Sequence, residues 1–353
     1  MTLTVPPFRI ESAAPCYIVS PVPDYNNPVS TIANLTTEID RLRAEGWAAL
    51  PPSYAIPDVA PSLAEARAWC QHLAETHYEN FHVASWFLPK KFRPHFHAIY
   101  AYCRVSDDLG DEVGNREQSL ALLEQWREEL DACYQGEARH PVFVALAETI
   151  RICRIPKEPF ADLLTAFIQD QTVTRFRDMD EVLAYCKNSA NPVGRLVLYA
   201  CGYSDAERFR LSDATCTALQ LANFWQDVSS DYRQRDRIYI PQDAMRQFGV
   251  TEATIASAQA TPEFRALLKS QVDYARTLFE AGLPLIGMVD NDLALDLDLF
   301  SRGGMEILRA IEDRNYDVLS ARPAISKPRK IALALRAVSG KFLPGLRLKS
   351  KAA

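Results

Sequence analysis

His97-Ala-Ile-Tyr-Ala-Tyr-Cys-Arg-Val-Ser-Asp-Asp-Leu-Gly-Asp111 and Thr217-Ala-Leu-Gln-Leu-Ala-Asn-Phe-Trp-Gln-Asp-Val-Ser-Ser-Asp231 are the two stretches that decide how this chain folds. Each is an apolar, aromatic run that ends in Asp-x-x-x-Asp. Residues four apart on an α-helix lie on one face, so Asp107 with Asp111, and Asp227 with Asp231, each direct two carboxylates into one region. A helix would bury the text that precedes each pair. An ionised pair at the end of a buried helix needs a counter-charge, and Mg²⁺ is characteristically held by one or two carboxylates plus phosphate oxygens and water. The chain has two further pairs at this spacing, 292/296 and 313/317. The first lies among other acids and the second beside Arg309 and Arg314, so both are read as surface or ion-pair features.

Outward from these stretches, residues 62 to about 325 are a succession of apolar-periodic segments broken by Pro or Gly, of helical length. Alternating Val/Ile/Thr text bounded by turn residues is almost absent, so the fold class is all-α. Residues 1–61 hold ten of the 22 prolines and read as an extended Pro-rich arm. The net charge is −6, yet the last 32 residues carry nine Lys/Arg and no acid, which leaves the rest near −15. An acidic body argues against a nucleic-acid partner. A basic tail over 326–353, punctuated by Leu and Phe, suits peripheral contact with an anionic membrane. The eight cysteines form no C-x-x-C pair and read as reduced thiols of a cytoplasmic protein. Neither a signal peptide nor a run of 18 apolar residues is present.

Each acidic pair has polar neighbours on its own helical face: Arg104 before Asp107, and Gln220 and Asn223 before Asp227. Arg104 suits bidentate phosphate contact or a surface ion pair. Asn223 suits a metal site or a buried amide network. His72, His77, His82, His95 and His97 cluster in sequence but lack a zinc ligand set. No Gly-x-Gly-x-x-Gly is present, so a Rossmann dinucleotide site is unsupported.

These residues resemble the squalene/phytoene synthase family, the head-to-head trans-isoprenyl diphosphate synthases. Three blocks stand in family order: Tyr100-Ala-Tyr-Cys-Arg-Val-Ser-Asp-Asp-Leu-Gly-Asp-Glu112, then Tyr185-Cys-Lys-Asn-Ser-Ala-Asn-Pro-Val-Gly194, then Gln220 to Asp231 followed by Arg237-Ile-Tyr-Ile-Pro241. The resemblance implies one isoprenoid synthase domain over 62–325, with helices around a central cavity. It also implies two or three Mg²⁺ ions and prenyl chains in an apolar tunnel. His77-Tyr-Glu-Asn-Phe81 and Ser189 to Arg195 are most similar to the hydroxysqualene synthase branch of bacterial hopanoid pathways, which implies conversion of presqualene diphosphate and water to hydroxysqualene. The missing Gly-x-Gly-x-x-Gly does not exclude NADPH, which is not expected only because capture by water is the favoured reaction. By position, His77, Asn80, Phe81, Tyr100, Arg104, Gln220, Phe224, Trp225, Arg237, Tyr239 and Arg322 are implied substrate contacts. Asp107, Asp111, Asn223, Asp227 and Asp231 are the implied metal residues, and Tyr185 joins the four aspartates as catalytic. Other branches usually carry Arg immediately before the second acidic motif, where this chain has Gln226, and several relatives have Ser at the position of Asn80. The competing expectations are synthesis of squalene, presqualene diphosphate or phytoene from two prenyl diphosphates such as farnesyl diphosphate, or a non-catalytic membrane-associated assembly factor.

Overall fold

A computed structural model describes residues 54–76, 90–326 and 329. His77, Asn80 and Phe81 lie outside these residues, as do most of the expected arm and basic tail.

Twelve α-helices and one 3-10 segment, Leu283–Met288, account for the regular structure of the described residues. They are α1 (Leu63–Thr76), α2 (Arg93–Asp111), α3 (Arg116–Gln135), α4 (Pro141–Cys153), α5 (Glu158–Asp170), α6 (Met179–Ser189), α7 (Asn191–Ala200), α8 (Ala206–Arg235), α9 (Gln242–Gln247), α10 (Glu252–Ala256), α11 (Pro262–Gly282) and α12 (Asn291–Asp313). Extended pairing among them is confined to an isolated parallel bridge between Arg175 and Ile238. The expected all-α class is therefore what folds.

The prolines read as breaks are helix starts. Pro stands in the first turn of α2, α4, α5, α7 and α11, where its missing N–H would have no intrahelical partner anyway. Side-chain caps complete several N-termini: Asn115 accepts from Gln118 N, Asp178 from Glu181 N and Asp205 from Arg208 N. α3 ends on Gly136 in the left-handed conformation, φ 86°.

Burial divides into two clusters. One is built from α1 to α5 with part of α7; the other gathers α6, α8, α11, α12 and residues 238–255. α8 packs on α6, α7, α10, α11 and α12. These approaches are close where small residues allow them. A Cβ on Gly194 of α7 would fall 2.3 Å from Ser212 Oγ and 2.5 Å from Cys216 Sγ of α8, and one on Gly304 of α12 would fall 2.2 Å from Phe279 Cζ of α11. The first acidic motif thus belongs to one cluster and the second to the other. Tyr54, placed by the sequence in the arm, is fully buried in the first cluster.

One expectation is corrected here. Asp292 is exposed, but Asp296 is only 3 % exposed on the inner face of α12, because the stripe Leu293, Leu295, Leu299 turns that side of the helix inward. The 313/317 pair does form ion pairs, with Arg329 and Arg265.

Candidate active site at the helix ends

α2, α5 and α8 deliver their C-terminal turns to one place. Gln171, just past α5, donates to the Gly110 carbonyl at 2.9 Å. Arg235, the last residue of α8, pairs with Asp111 at 2.9 Å, and Arg237 donates to the Asp170 carbonyl at 2.7 Å. Helix C-termini carry partial negative charge, so three of them plus the acidic motifs make a region that draws cations.

On α2, Asp107 and Asp108 are 5 % and 3 % exposed. Arg104 pairs with Asp108 and lies 3.5 Å from Asp107, while Tyr54 donates its phenol proton to the other Asp108 oxygen. Burial, with the Asp108 charge, raises the Tyr54 phenol well above its ordinary value. Tyr100 is half-buried and within electrostatic reach of both Arg104 and Tyr54.

On α8, Asn223 and Gln220 are buried one and two turns before Asp227. Burial first, then the Asp227 carboxylate, pushes the Asp231 carboxyl up to about 7, against the pull of Arg235, Arg237 and Arg322. Arg322 arrives from the segment after α12: its Nε pairs with one oxygen of Asp227, and its Nη2 donates to the other at 3.0 Å.

Asp236 closes α8 in a left-handed conformation, φ 50°, and turns the chain so that residues 238–242 lie beside 174–176: Ile238 N donates to Thr174 O and Gln242 N to Phe176 O, both at 2.9 Å. That turn builds an aromatic wall. Tyr239 stacks on Phe224 with centroids 3.6 Å apart, and Phe176 and Tyr185 pack against Tyr239 at 5.4 and 5.8 Å. Asp170 is the polar hinge of the wall, accepting from the Tyr185 hydroxyl at 3.0 Å and sitting 3.7 Å from Arg237. Trp225 is fully buried on another side of α8 and touches Phe224 at 6.4 Å.

Asp111, Asp227, Asp231, Arg237, Arg322, Tyr185, Phe224 and Tyr239 are thus linked through shared partners, while Asp107 and Arg104, on the same helix as Asp111, stand with Asp108 and Tyr54. The sequence reading missed Tyr54, Asp108, Asp170 and Arg235. Asp108 and Asp170 carried a signal as acids within apolar text; Tyr54 and Arg235 carried none, since their partners are remote in the chain.

No group of three or more His, Cys, Asp or Glu among the described residues converges to hold a metal unaided. His95 is a core residue whose Nδ1 lies 3.0 Å from Thr149 Oγ1. The donor set nevertheless fits Mg²⁺, which needs only one or two carboxylates when phosphate oxygens supply the rest.

Helix ends that gather carboxylates and arginines beside an aromatic wall, in a chain whose relatives are squalene/phytoene synthases, make this an isoprenoid diphosphate-processing enzyme of all-α fold. The squalene/phytoene synthase family model matches residues 74–329, and the chain belongs to that family. Hydroxysqualene synthases of Zymomonas mobilis and Rhodopseudomonas palustris are 32 % and 33 % identical over 75 % and 72 % of this chain, and over 88 % and 86 % of theirs. Squalene synthase HpnC from Alicyclobacillus acidocaldarius is 44 % identical with a TM-score of 0.70, over 72 % of this chain and 96 % of that one. A dehydrosqualene synthase in complex with ligand superposes with a TM-score of 0.71 at 25 % identity, over 79 % and 98 % of the two chains.

Proposed function

We propose that the chain converts presqualene diphosphate and water to hydroxysqualene and diphosphate, with Mg²⁺. The observation that carries this reading is the interleaving of carboxylates and guanidiniums at the helix ends: Asp107 and Asp108 with Arg104, Asp111 with Arg235, Asp227 with Arg322. A metal–diphosphate is itself an alternation of cation and anion, and each partner here can exchange an internal contact for one to it. The hydroxysqualene synthase relatives support the choice of reaction.

Asp107, Asp111, Asn223, Asp227 and Asp231 would hold Mg²⁺, which supplies charge neutralisation of the departing diphosphate. Arg104 and Arg322 contribute fixed positive charge at the same place, and preorganised groups of this kind require no rearrangement as charge develops. The carbon–oxygen bond breaks with its electron pair leaving on the diphosphate. The cyclopropylcarbinyl cation rearranges beside Phe224, Tyr239 and Tyr185, whose faces stabilise a cation by about 0.5–2 kcal/mol each. One water then adds its oxygen to carbon and gives up a proton, which yields the alcohol. The apolar wall excludes other water.

Purified protein incubated with presqualene diphosphate and Mg²⁺ is expected to release diphosphate and hydroxysqualene without NADPH. Asp107→Asn and Asp227→Asn are expected to reduce release by about a hundredfold or more with the fold intact by circular dichroism. A squalene product that needs NADPH, or release only from two farnesyl diphosphates, would replace this reading with a condensing one.

A further inference from the structure

Arg322 enters the site from a segment remote in sequence; Asp227 accepts from its Nε and Nη2, and the neighbouring Gln226 touches both the guanidinium and the backbone that carries it. Gln226, 3 % exposed, precedes Asp227 on α8. Its Nε2 donates to the Pro323 carbonyl at 2.7 Å, and its Oε1 accepts from Arg322 Nη2 at 3.2 Å. The same Nη2 donates to Asp227 Oδ2 at 3.0 Å. Val318, Leu319 and Ile325, at most 7 % exposed, sink into the core on either side of Arg322. They fix the path of this strap, while Arg322 itself keeps a side chain 44 % exposed. Only a neutral amide satisfies both contacts at position 226, because it has donor and acceptor on one planar group. A carboxylate would face the Pro323 carbonyl with a second acceptor, and an aliphatic side chain would remove the donor to that carbonyl and one of the acceptors of the guanidinium.

We propose that Gln226 is the positioning residue for Arg322: its carboxamide clips the strap to α8 and orients the guanidinium over Asp227, so the cation facing the leaving diphosphate is delivered by the strap and aimed by the helix. The role deepens the proposed function and rests on it for the identity of the anion. α8 itself carries no cation at this position, so the strap's arginine acts in its place: one bond of Gln226 holds the guanidinium and the other holds the backbone of the next residue, Pro323.

A double-mutant cycle of Gln226→Leu and Arg322→Ala tests this. It is read on kcat and KM with presqualene diphosphate and, independently, on the Kd of inorganic pyrophosphate with Mg²⁺ by calorimetry. Gln226→Leu is expected to lower kcat about tenfold or more, the usual scale for a lost hydrogen bond to a charged group, with KM changed less than about threefold. In the Arg322→Ala background the same substitution is expected to cost less than about twofold, since its target is gone. Losses that multiply in the double variant would overturn the proposal, because Gln226 would then act on something other than Arg322. Should Gln226→Leu not fold, Gln226→Glu takes its place, and the same non-additivity is required of it. If the wild type does not turn over presqualene diphosphate, the functional reading falls, and the pyrophosphate Kd cycle alone upholds or overturns the positioning role by the same criterion.

Discussion

Asp231 shows how a single residue can set function against stability. Its carboxyl is pushed up to about 7 by burial and by Asp227, whereas an unfolded aspartate titrates near 3.9. The native state therefore binds more protons than the unfolded chain between about pH 4 and 7, so stability falls as pH rises through that window, and the penalty is fully present above 7. Asp231→Asn removes the charge and keeps the shape. Without metal, at pH 8, the variant is expected to melt above the wild type, by roughly 2 °C for each ~1 kcal/mol relieved, and the gap should narrow as pH falls below 7 and close only below about pH 4. Diphosphate release should be lost at the same time. A variant that melts lower at pH 8 would show that the charge is already compensated.

At the scale of the element, the N-terminus of α4 carries an opposite pH dependence. His140 caps the helix by accepting from Val142 N at 3.2 Å and packs edge-on against Trp69 and Trp126 at 5.4 and 5.0 Å. Burial lowers its pKa to about 3. The unfolded chain takes up a proton near pH 6.5 that the native state refuses, so this group's contribution is complete above 6.5 and is lost as pH falls toward 3. His140→Asn retains a capping acceptor but does not titrate. Urea midpoints should find the variant less stable at pH 7, because the aromatic contacts are gone. By pH 5 its deficit should have narrowed by about 1–2 kcal/mol.

The described residues form two buried clusters with the acidic motifs at their meeting line, and Arg235 is one of the side chains that reach across it, to Asp111. Both partners are partly exposed, so the pair contributes only about 0–1 kcal/mol to the ligand-free fold. Arg235→Gln is expected to leave the ligand-free melting temperature within about 2 °C of wild type. The rise produced by Mg²⁺ with pyrophosphate, about 2.7 kcal/mol of added stability at a hundredfold excess over Kd, should fall by at least half. Equal protection of both proteins would mean that the two motifs bind without this link. No helix among the described residues is long and apolar enough to cross a membrane. The basic tail through which we propose peripheral contact with an anionic surface rests on its sequence.

The all-α class, the two carboxylate pairs and the family were legible in the chain itself, because helical periodicity and i, i+4 spacing are local properties and the apolar text around Asp107 and Asp227 required burial. Local text could not show that Asp296 turns inward, since that depends on which neighbours cover α12. Nor could it show that Tyr54 reaches Asp108, that Asp170 joins Tyr185 to Arg237, or that Gln226 holds a strap arginine 96 residues away. These are contacts between segments far apart in the chain. Their geometry is set by the close packing of α8 at Gly194 and Gly304 and by the left-handed turn at Asp236, so only the tertiary structure decided which polar groups share the site.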